Sequence, residues 1–303
     1  MAELLLERGY RVTGMVRPAC GDSLGAAAHL ADSIELEAVE LLDLDGLRGL
    51  VTRSRPDELY HLAAPSFVPD SWRRPAETFA AIAGATAALL EAVRDTSRET
   101  RVFVAASSAM FGAASSSPQR EGTPCWPESP YASAKLAAHQ LVGQIRRRDG
   151  LFACSGILYN HESERRPEMF VTRKITRAAA SIKLGLSQEV TLGDLTAVRD
   201  WSFAGDVMQG AWLMLQQSQP DDYVLASGVG HTVAEFAEIA FAAVGLRAED
   251  YIRVDSTLRR EPERTPLVGD PSLARARLGW HPAVSFEQLV DRMLQADLSA
   301  LGG

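Results

Sequence analysis

Tyr131 stands four residues before Lys135 in the run Tyr131-Ala-Ser-Ala-Lys135, and Ser107-Ser108 closes an apolar stretch upstream of it. This spacing puts the phenol and the amine on one face of a helix, about one turn apart. An ammonium so placed favours the phenolate, because opposite charge stabilises the ionised form. Bringing a phenol from a pKa of about 10 to near 7 takes roughly 4 kcal/mol of such stabilisation. The product is a general base able to take a proton from a sugar or alcohol hydroxyl at neutral pH. A serine hydroxyl beside it can hold the same substrate oxygen. Tyr-x-x-x-Lys alone is common on exposed helices. Pro130 directly before the tyrosine, and the serines upstream, make it a candidate catalytic site.

Such a pair needs a scaffold, and the first two-thirds of the chain alternates short apolar stretches with longer amphipathic ones. Residues 11–16, 58–63, 102–106 and 152–158 read as buried strands, and 2–8, 44–53, 75–93 and 129–148 as helices. This alternation predicts an α/β fold, a Rossmann-like doubly wound parallel sheet whose ligands bind beyond the carboxyl ends of the strands. Near Pro167 the rhythm changes. A helix over 171–186, a strand at 190–192, a helix over 206–216 and a loop-rich stretch lead to a closing helix near 286–294. The expected division is a doubly wound domain over 1–166 and, over 167–303, mainly a smaller C-terminal lobe with some segments returning to the first.

At 303 residues and 46% hydrophobic, the chain is large enough for one big α/β core or two unequal lobes. A formal charge of −8, spread along the chain, makes neither nucleic acid nor an anionic membrane surface an expected partner. No apolar run is read as approaching the roughly 20 residues of a membrane span, and the first residues do not read as a signal peptide. Cys20, Cys125 and Cys154 are odd in number and far apart, which fits a reduced cytoplasm better than a disulfide framework. The six histidines show no metal-ligand spacing, so no metal is expected. A dinucleotide fold usually opens with a strand and a glycine-rich turn that holds the pyrophosphate at a helix N-terminus. Here the sequence opens at Met1-Ala-Glu-Leu-Leu-Leu-Glu, inside what would be that helix, and no Gly-x-x-Gly-x-x-Gly occurs. The expectation is a start codon placed too late rather than a truncated product, because a sheet without its first central strand exposes a large apolar edge.

Taken together, these residues resemble the extended short-chain dehydrogenase/reductase superfamily, and within it the GDP-mannose 4,6-dehydratase family. The resemblance is carried by Ser129-Pro-Tyr-Ala-Ser-Ala-Lys135, Gly156-Ile-Leu-Tyr-Asn-His-Glu-Ser163 and Phe170-Val-Thr-Arg-Lys-Ile-Thr-Arg177. Arg199-Asp-Trp201, Gln219-Pro-Asp-Asp222 and Leu267-Val-Gly-Asp-Pro271 add to it. The resemblance implies an NADP-binding Rossmann domain over 1–166 and a GDP-sugar-binding lobe over 167–303. It implies a GDP-hexose substrate and a homodimer or homotetramer. Ser107, Tyr131 and Lys135 match the catalytic set. Arg17 matches an arginine on the NADP 2′-phosphate, which suits a forked cation, although the family's second arginine there is Pro18. Asp43 and Leu44 match the pair flanking the adenine. Leu62, Ala63, Ala64 and Ser66 match the loop under the nicotinamide ribose and phosphates. Lys135 is also expected at that ribose, with His161 and Arg166 at the nicotinamide end. Asn160, Lys174, Arg199, Arg260 and Glu263 match residues lining the GDP-sugar cleft, Arg199 and Arg260 facing the diphosphate.

One departure bears on the chemistry. The shared first step is oxidation at C4 of the hexose, which makes the C5 hydrogen acidic. Dehydration then needs a group to remove that proton and assist loss of the C6 hydroxyl. The resemblance places a glutamate there, two residues after the catalytic hydroxyl; this chain has Ala109, after Ser107 and Ser108. Alanine cannot move a proton, and loss of a general acid–base group costs about 10² to 10⁴-fold. Glu128 lies near Tyr131 in sequence and is a possible substitute. Glu77, where the family has a tyrosine, is a second departure with no reading. Alternatives therefore stay open: a dehydratase, a GDP-hexose 4-epimerase or 4-keto-6-deoxy-hexose reductase, or a catalytically silent GDP-sugar- or dinucleotide-binding protein.

Overall fold

The computed structural model describes residues 1–18, 25–255, 257 and 265–302. Twelve α-helices and eleven strands are laid out in chain order among them. The first half holds α1 (Ala2–Glu7), β1 (Thr13–Val16), β2 (Glu35–Ala38), α2 (Leu44–Ser54), β3 (Glu58–His61), α3 (Val68–Arg73), α4 (Pro75–Phe79) and α5 (Ala85–Thr96). It continues with β4 (Arg101–Ala105), α6 (Pro130–Asp149), β5 (Ala153–Leu158) and β6 (Asn160–Glu162). The second half holds α7 (Val171–Lys183), β7 (Val190–Leu192), β8 (Val198–Phe203), α8 (Ala204–Leu215), β9 (Tyr223–Leu225), β10 (Gly230–Thr232), α9 (Val233–Ala243), α10 (Ala248–Tyr251) and β11 (Ile252–Val254). Helices α11 (Ser272–Leu278) and α12 (Phe286–Gly302) close the chain.

The expected parallel sheet is present, in two pieces. One has the order β3-β4-β5-β9 and the other is the pair β1-β2, and every pairing in both is parallel. Residues of β4 and β5 are almost all buried, as a strand covered on both faces requires. One face is covered by α2, α5 and α6 through Leu47, Val51, Leu90, Val93, Val142 and Ile145. On the other, α8 and α11 pack through Val207, Ala211, Met214, Ala274 and Leu278 onto Phe103, Cys154 and Tyr223. A further core gathers α7, α9 and α12 about Trp201, Phe236 and Phe241, with Phe286 packed against it.

Several short elements depart from the periodic pattern. β2 and β9 were not expected: β2 carries Glu35 and Glu37 among its four residues, and β9 is three residues following the acidic Asp221-Asp222. β9 joins the main sheet from the second half of the sequence. The helix expected over 75–93 is α4, one π-helical turn at Ala80–Gly84 and α5. The span Pro75–Thr96 has 22 residues with an 18-residue window of mean hydropathy 1.4. By length and composition it could cross a membrane, which corrects the expectation that no run approaches such a span. Alanine-rich core helices pass the same test, and 61% of that window is buried against the rest of the fold.

Charged anchors lock α6 over the sheet. Arg146 forms a two-pronged pair with Asp222, both contacts 2.8 Å, and donates to the Ala153 carbonyl at 2.9 Å. Asp222 also accepts from the Ser155 amide at 2.8 Å. One end of α6 is thereby tied to β5 and to the segment entering β9. Asp200, fully buried in β8, accepts from the amides of Ser227, Gly228 and Gly269 and from the Ser227 hydroxyl. This carboxylate fixes the loop after β9 against the chain entering α11.

Candidate active site

Strands β3, β4 and β5 point their carboxyl ends the same way, and the chemistry-bearing residues follow those ends. β3 is succeeded by loop 62–67, β4 by Ser107 and a 3₁₀ turn at Ser108–Phe111, and β5 by Asn160 and His161 of β6. Helix α6 starts over the same edge. Ser129 caps it, accepting from the Ala132 amide at 3.1 Å, and Pro130 occupies its first turn, where a missing N–H matters least. Tyr131 therefore sits in the first turn and Lys135 one turn further in. Gly112 makes this approach possible. Its φ of +48° is one that side-chain-bearing residues rarely adopt, and a Cβ there would run into the Trp126 carbonyl. The segment leading into the Ser129 cap thus passes directly beside the turn that carries Ser107.

The Tyr131 hydroxyl lies beside Ser107, whose Oγ accepts from the Ala109 amide at 3.2 Å. Lys135 is 6% exposed. Its Nζ donates to the Ala105 carbonyl at 2.6 Å and lies 5.9 Å from the Tyr131 ring centroid. The expected electrostatics are corrected here. Burial pushes the Tyr131 phenol up, while the Ser107 hydroxyl and the Arg166 charge oppose the rise. Lys135 is turned to a backbone carbonyl, and burial pushes its ammonium down to about 8. Helical spacing brought the two side chains together, but burial is the largest influence on both, raising the phenol and lowering the ammonium. His61, at the end of β3, is pushed down to about 3 by burial and by the Lys135 charge, so it is neutral at pH 7.

That depression has a stability consequence. Lys135 is penalised for holding its proton in the folded state, fully so below about pH 8. Between about 8 and the unfolded value near 10.4, the unfolded chain binds more protons, so stability from this group rises with pH. Lys135→Met removes the penalty and one hydrogen bond, a net stabilisation of about 2 kcal/mol at pH 7. Urea denaturation at pH 7 and pH 9 checks it. The gain is larger at pH 7, and a variant less stable than the parent at both pH values contradicts it.

The remaining expected residues are placed as follows. Arg17 is exposed just after β1, and Leu62, Ala63 and Ser66 are exposed in the loop after β3, with Ala64 half-buried against Ile82 and Tyr131. Asp43 caps α2, accepting from the Gly46 amide at 2.9 Å, and Leu44 opens that helix. Asn160 and His161 lie in β6, where His161 Nδ1 meets the Tyr159 carbonyl at 2.8 Å. Burial lowers the His161 pKa. Arg166 pairs with Glu162 at 2.9 Å. Lys174 is exposed on α7, and Arg199 is half-buried on β8, where it donates to the Val198 carbonyl. Arg260 and Glu263 lie outside the described residues. Ala109 is half-buried beside Ser107, Glu128 is exposed next to the Ser129 cap, and Glu77 pairs with Arg74 at 3.5 Å on the surface. Sequence reasoning passed over Glu162, Phe67 and Phe170. The signal was there for Glu162, a carboxylate two residues beyond Asn160 and four before Arg166.

Comparison with known proteins gives a consistent result. A family model described as GDP-mannose 4,6 dehydratase matches residues 1–293. The chain is 44% identical over 310 residues to GDP-mannose 4,6 dehydratase 2 of Arabidopsis thaliana, covering 98% of this chain and 83% of that one. It is 40% identical over 334 residues to GDP-mannose 4,6-dehydratase of Yersinia enterocolitica, covering 98% and 90%. Among solved structures, the UDP-glucose 4-epimerase of Thermus thermophilus in complex with NAD aligns with a TM-score of 0.84 at 25% identity, over 99% of this chain and 94% of that one. RMD from Pseudomonas aeruginosa complexed with NADPH aligns with a TM-score of 0.83 at 24% identity, over 96% and 100%.

Proposed function

The chain belongs to the GDP-mannose 4,6-dehydratase family, and we propose that it oxidises a GDP-hexose at C4, with Tyr131 as the base, as the entry to water loss from C5 and C6. The observation that carries this reading is the Ser107–Tyr131–Lys135 group gathered at the carboxyl ends of β3, β4 and β5, where doubly wound sheets bind ligands.

A nicotinamide dinucleotide fits these residues. Lys135 is a buried ammonium with one acceptor among the described residues, the Ala105 carbonyl, and so has protons left for a ribose hydroxyl. The small residues Ala63, Ala64 and Ser66 leave room for a ribose and phosphates after β3. When bound, this cofactor accepts the C4 hydride and returns it once water has left. NADP rather than NAD is supported by Arg17, a fixed cation after β1 suited to a phosphate dianion. Leu62, His161 and Arg166 complete the cofactor side in this reading, and Asn160, Lys174, Arg199, Arg260 and Glu263 the GDP-sugar side. Residues 1–166 then carry the dinucleotide and 167–303 mainly the sugar nucleotide, in a cytoplasmic homodimer or homotetramer.

Within that frame each residue has a task. Ser107 holds the C4 oxygen, Tyr131 takes its proton, and Lys135 orients the ribose against the ring. The ketone then acidifies C5–H. Ala109 favours a second reading, in which the enzyme stops at hydride transfer as a 4-epimerase or reductase, since no carboxylate stands two residues after Ser107. Incubation with GDP-mannose and NADP followed by mass spectrometry separates the two. Loss of one water supports the dehydratase. An isomer of unchanged mass supports the epimerase, and NADPH consumption with a GDP-4-keto-6-deoxy sugar supports the reductase. No product in any of these assays refutes the enzymatic reading.

A further inference from the structure

Gln119 is fully buried in the loop that continues from the 3₁₀ turn after β4, and no step above uses it. Its side chain meets three separate stretches of chain. The amide nitrogen donates to the Ser116 carbonyl at 2.8 Å and to the Pro266 carbonyl at 3.0 Å, and the amide oxygen accepts from the Tyr159 hydroxyl at 2.9 Å. Its backbone grips the same strap of chain, residues 265–270. The Gln119 N–H donates to the Val268 carbonyl at 2.8 Å, and the Gln119 carbonyl accepts from the Asp270 amide at 2.7 Å. Thr265 fastens the start of the strap, its hydroxyl donating to the Ala114 carbonyl at 2.6 Å. Gly269 lets the strap lie directly against the Tyr159 ring, where a Cβ would collide. On its other side the strap rests on β8. Leu267 bridges to Arg199, and the Gly269 amide donates to Asp200 at 3.1 Å.

Tyr159 carries the same connection toward the site. It stands between β5 and β6, its ring meets Phe111 of the 3₁₀ turn with centroids 6.4 Å apart, and its carbonyl holds His161 Nδ1 at 2.8 Å. Gln119 therefore lies where the turn carrying Ser107 meets, through the strap, the three-stranded sheet β10-β8-β6 that carries Arg199 and Asn160. We propose that Gln119 is a positioning residue: by clasping the strap to Tyr159 it sets the register between the β8 side of the cleft and the hydride-transfer group at the end of β4. This rests on the function proposed above, in which a sugar nucleotide held from β8 presents its C4 to Tyr131. An apolar side chain of similar volume would fill the space but accept many strap positions. Directional hydrogen bonds select one, because a carbonyl or hydroxyl left unpaired in the core is costly. With the clasp loosened, each ligand keeps its own contacts while one shifts against the other. Such a shift is felt in the chemical step, where a misplacement of about 1 Å can cost roughly 10²-fold.

The test is Gln119→Met, which keeps the length of the side chain and removes the amide. Product formation from GDP-mannose and NADP gives kcat, calorimetry gives Kd for GDP and for NADP, and a thermal melt reports folding. The expected kcat is lower by about 10 to 10²-fold, by the same factor at every pH, since no titrating group is lost. Both Kd values stay within about twofold of the parent. A merely structural role would lower the folded fraction and leave kcat per folded site unchanged. Tyr159→Phe, which deletes one hydroxyl and keeps the ring on Phe111, should lower kcat by about fivefold, and the double variant should be no slower than Gln119→Met, since both act through one contact. A folded Gln119→Met with kcat within about twofold of the parent overturns the positioning role, as does a GDP affinity that falls in step with kcat. If Gln119→Met does not fold, an unchanged kcat in Tyr159→Phe overturns it. A parent that turns over no GDP-hexose removes the functional reading and this one with it, whereas an active parent with unaffected variants removes this one alone.

Discussion

Tyr131→Phe lowers turnover of a GDP-hexose by about 10² to 10⁴-fold at pH 7, with the protein still folded. The substitution deletes one hydroxyl and leaves the ring, which packs with Ala64, Ile82, Ala134 and Ala138. Ground-state binding therefore changes little, and the loss falls on kcat, the mark of an interaction made in the transition state. Ser107 keeps its bond from the Ala109 amide in the variant, so the turn after β4 is undisturbed. Single-turnover product formation by mass spectrometry, beside a thermal melt, measures both halves of the claim. Activity within about tenfold of the parent, in a folded variant, removes Tyr131 from the role of base. Its own titration matters as well. Burial holds the phenol above its ordinary value, so the rate should climb with pH on the alkaline side of neutrality rather than level off below it.

What could be read from the sequence was what depends on near neighbours in the chain. Tyr131 and Lys135 share a face because the helical period fixes it, and Ser129-Pro130 announces the start of α6. The βα alternation was equally plain, since β4 and β5 are largely apolar, with Arg101 and Ser155 the exceptions, and their helices amphipathic. Charge balance at the site was not legible. Whether an ammonium stabilises a phenolate depends on how far both are withdrawn from water and on which acceptor the ammonium finds, and the Ala105 carbonyl is 30 positions away in sequence. The Glu162–Arg166 pair was hidden for a related reason. The i, i+4 spacing is visible, but the burial that gives the pair its weight comes from Thr172, Phe170 and Phe67. Asp43 shows the converse. Its helix-capping bond is local and could be read, whereas any contact with an adenine is not encoded in spacing.

Ala109→Glu is expected to speed elimination of water by about 10²-fold or more and to leave C4 oxidation within a few-fold of the parent. Residue 109 lies in the 3₁₀ turn that follows β4, and its amide donates to Ser107 Oγ. A side chain there leaves the backbone two residues from the hydroxyl that holds the C4 oxygen, so a carboxylate could span to the adjacent C5 hydrogen. The side chains that serve hydride transfer to the nicotinamide are Ser107, Tyr131 and Lys135, and none of these changes. The two steps can be timed separately. Exchange of the C5 hydrogen in D₂O reports deprotonation, and the mass decrease of one water reports elimination. Both should rise in Ala109→Glu and neither in Ala109→Gln, which has the same length without a carboxylate to carry the proton. If glutamate and glutamine behave alike, or the parent already eliminates water as fast as Ala109→Glu, proton removal at C5 does not depend on this position. The exposed Glu128, whose backbone passes beside Gly112 at the end of the same turn, then becomes the carboxylate to replace.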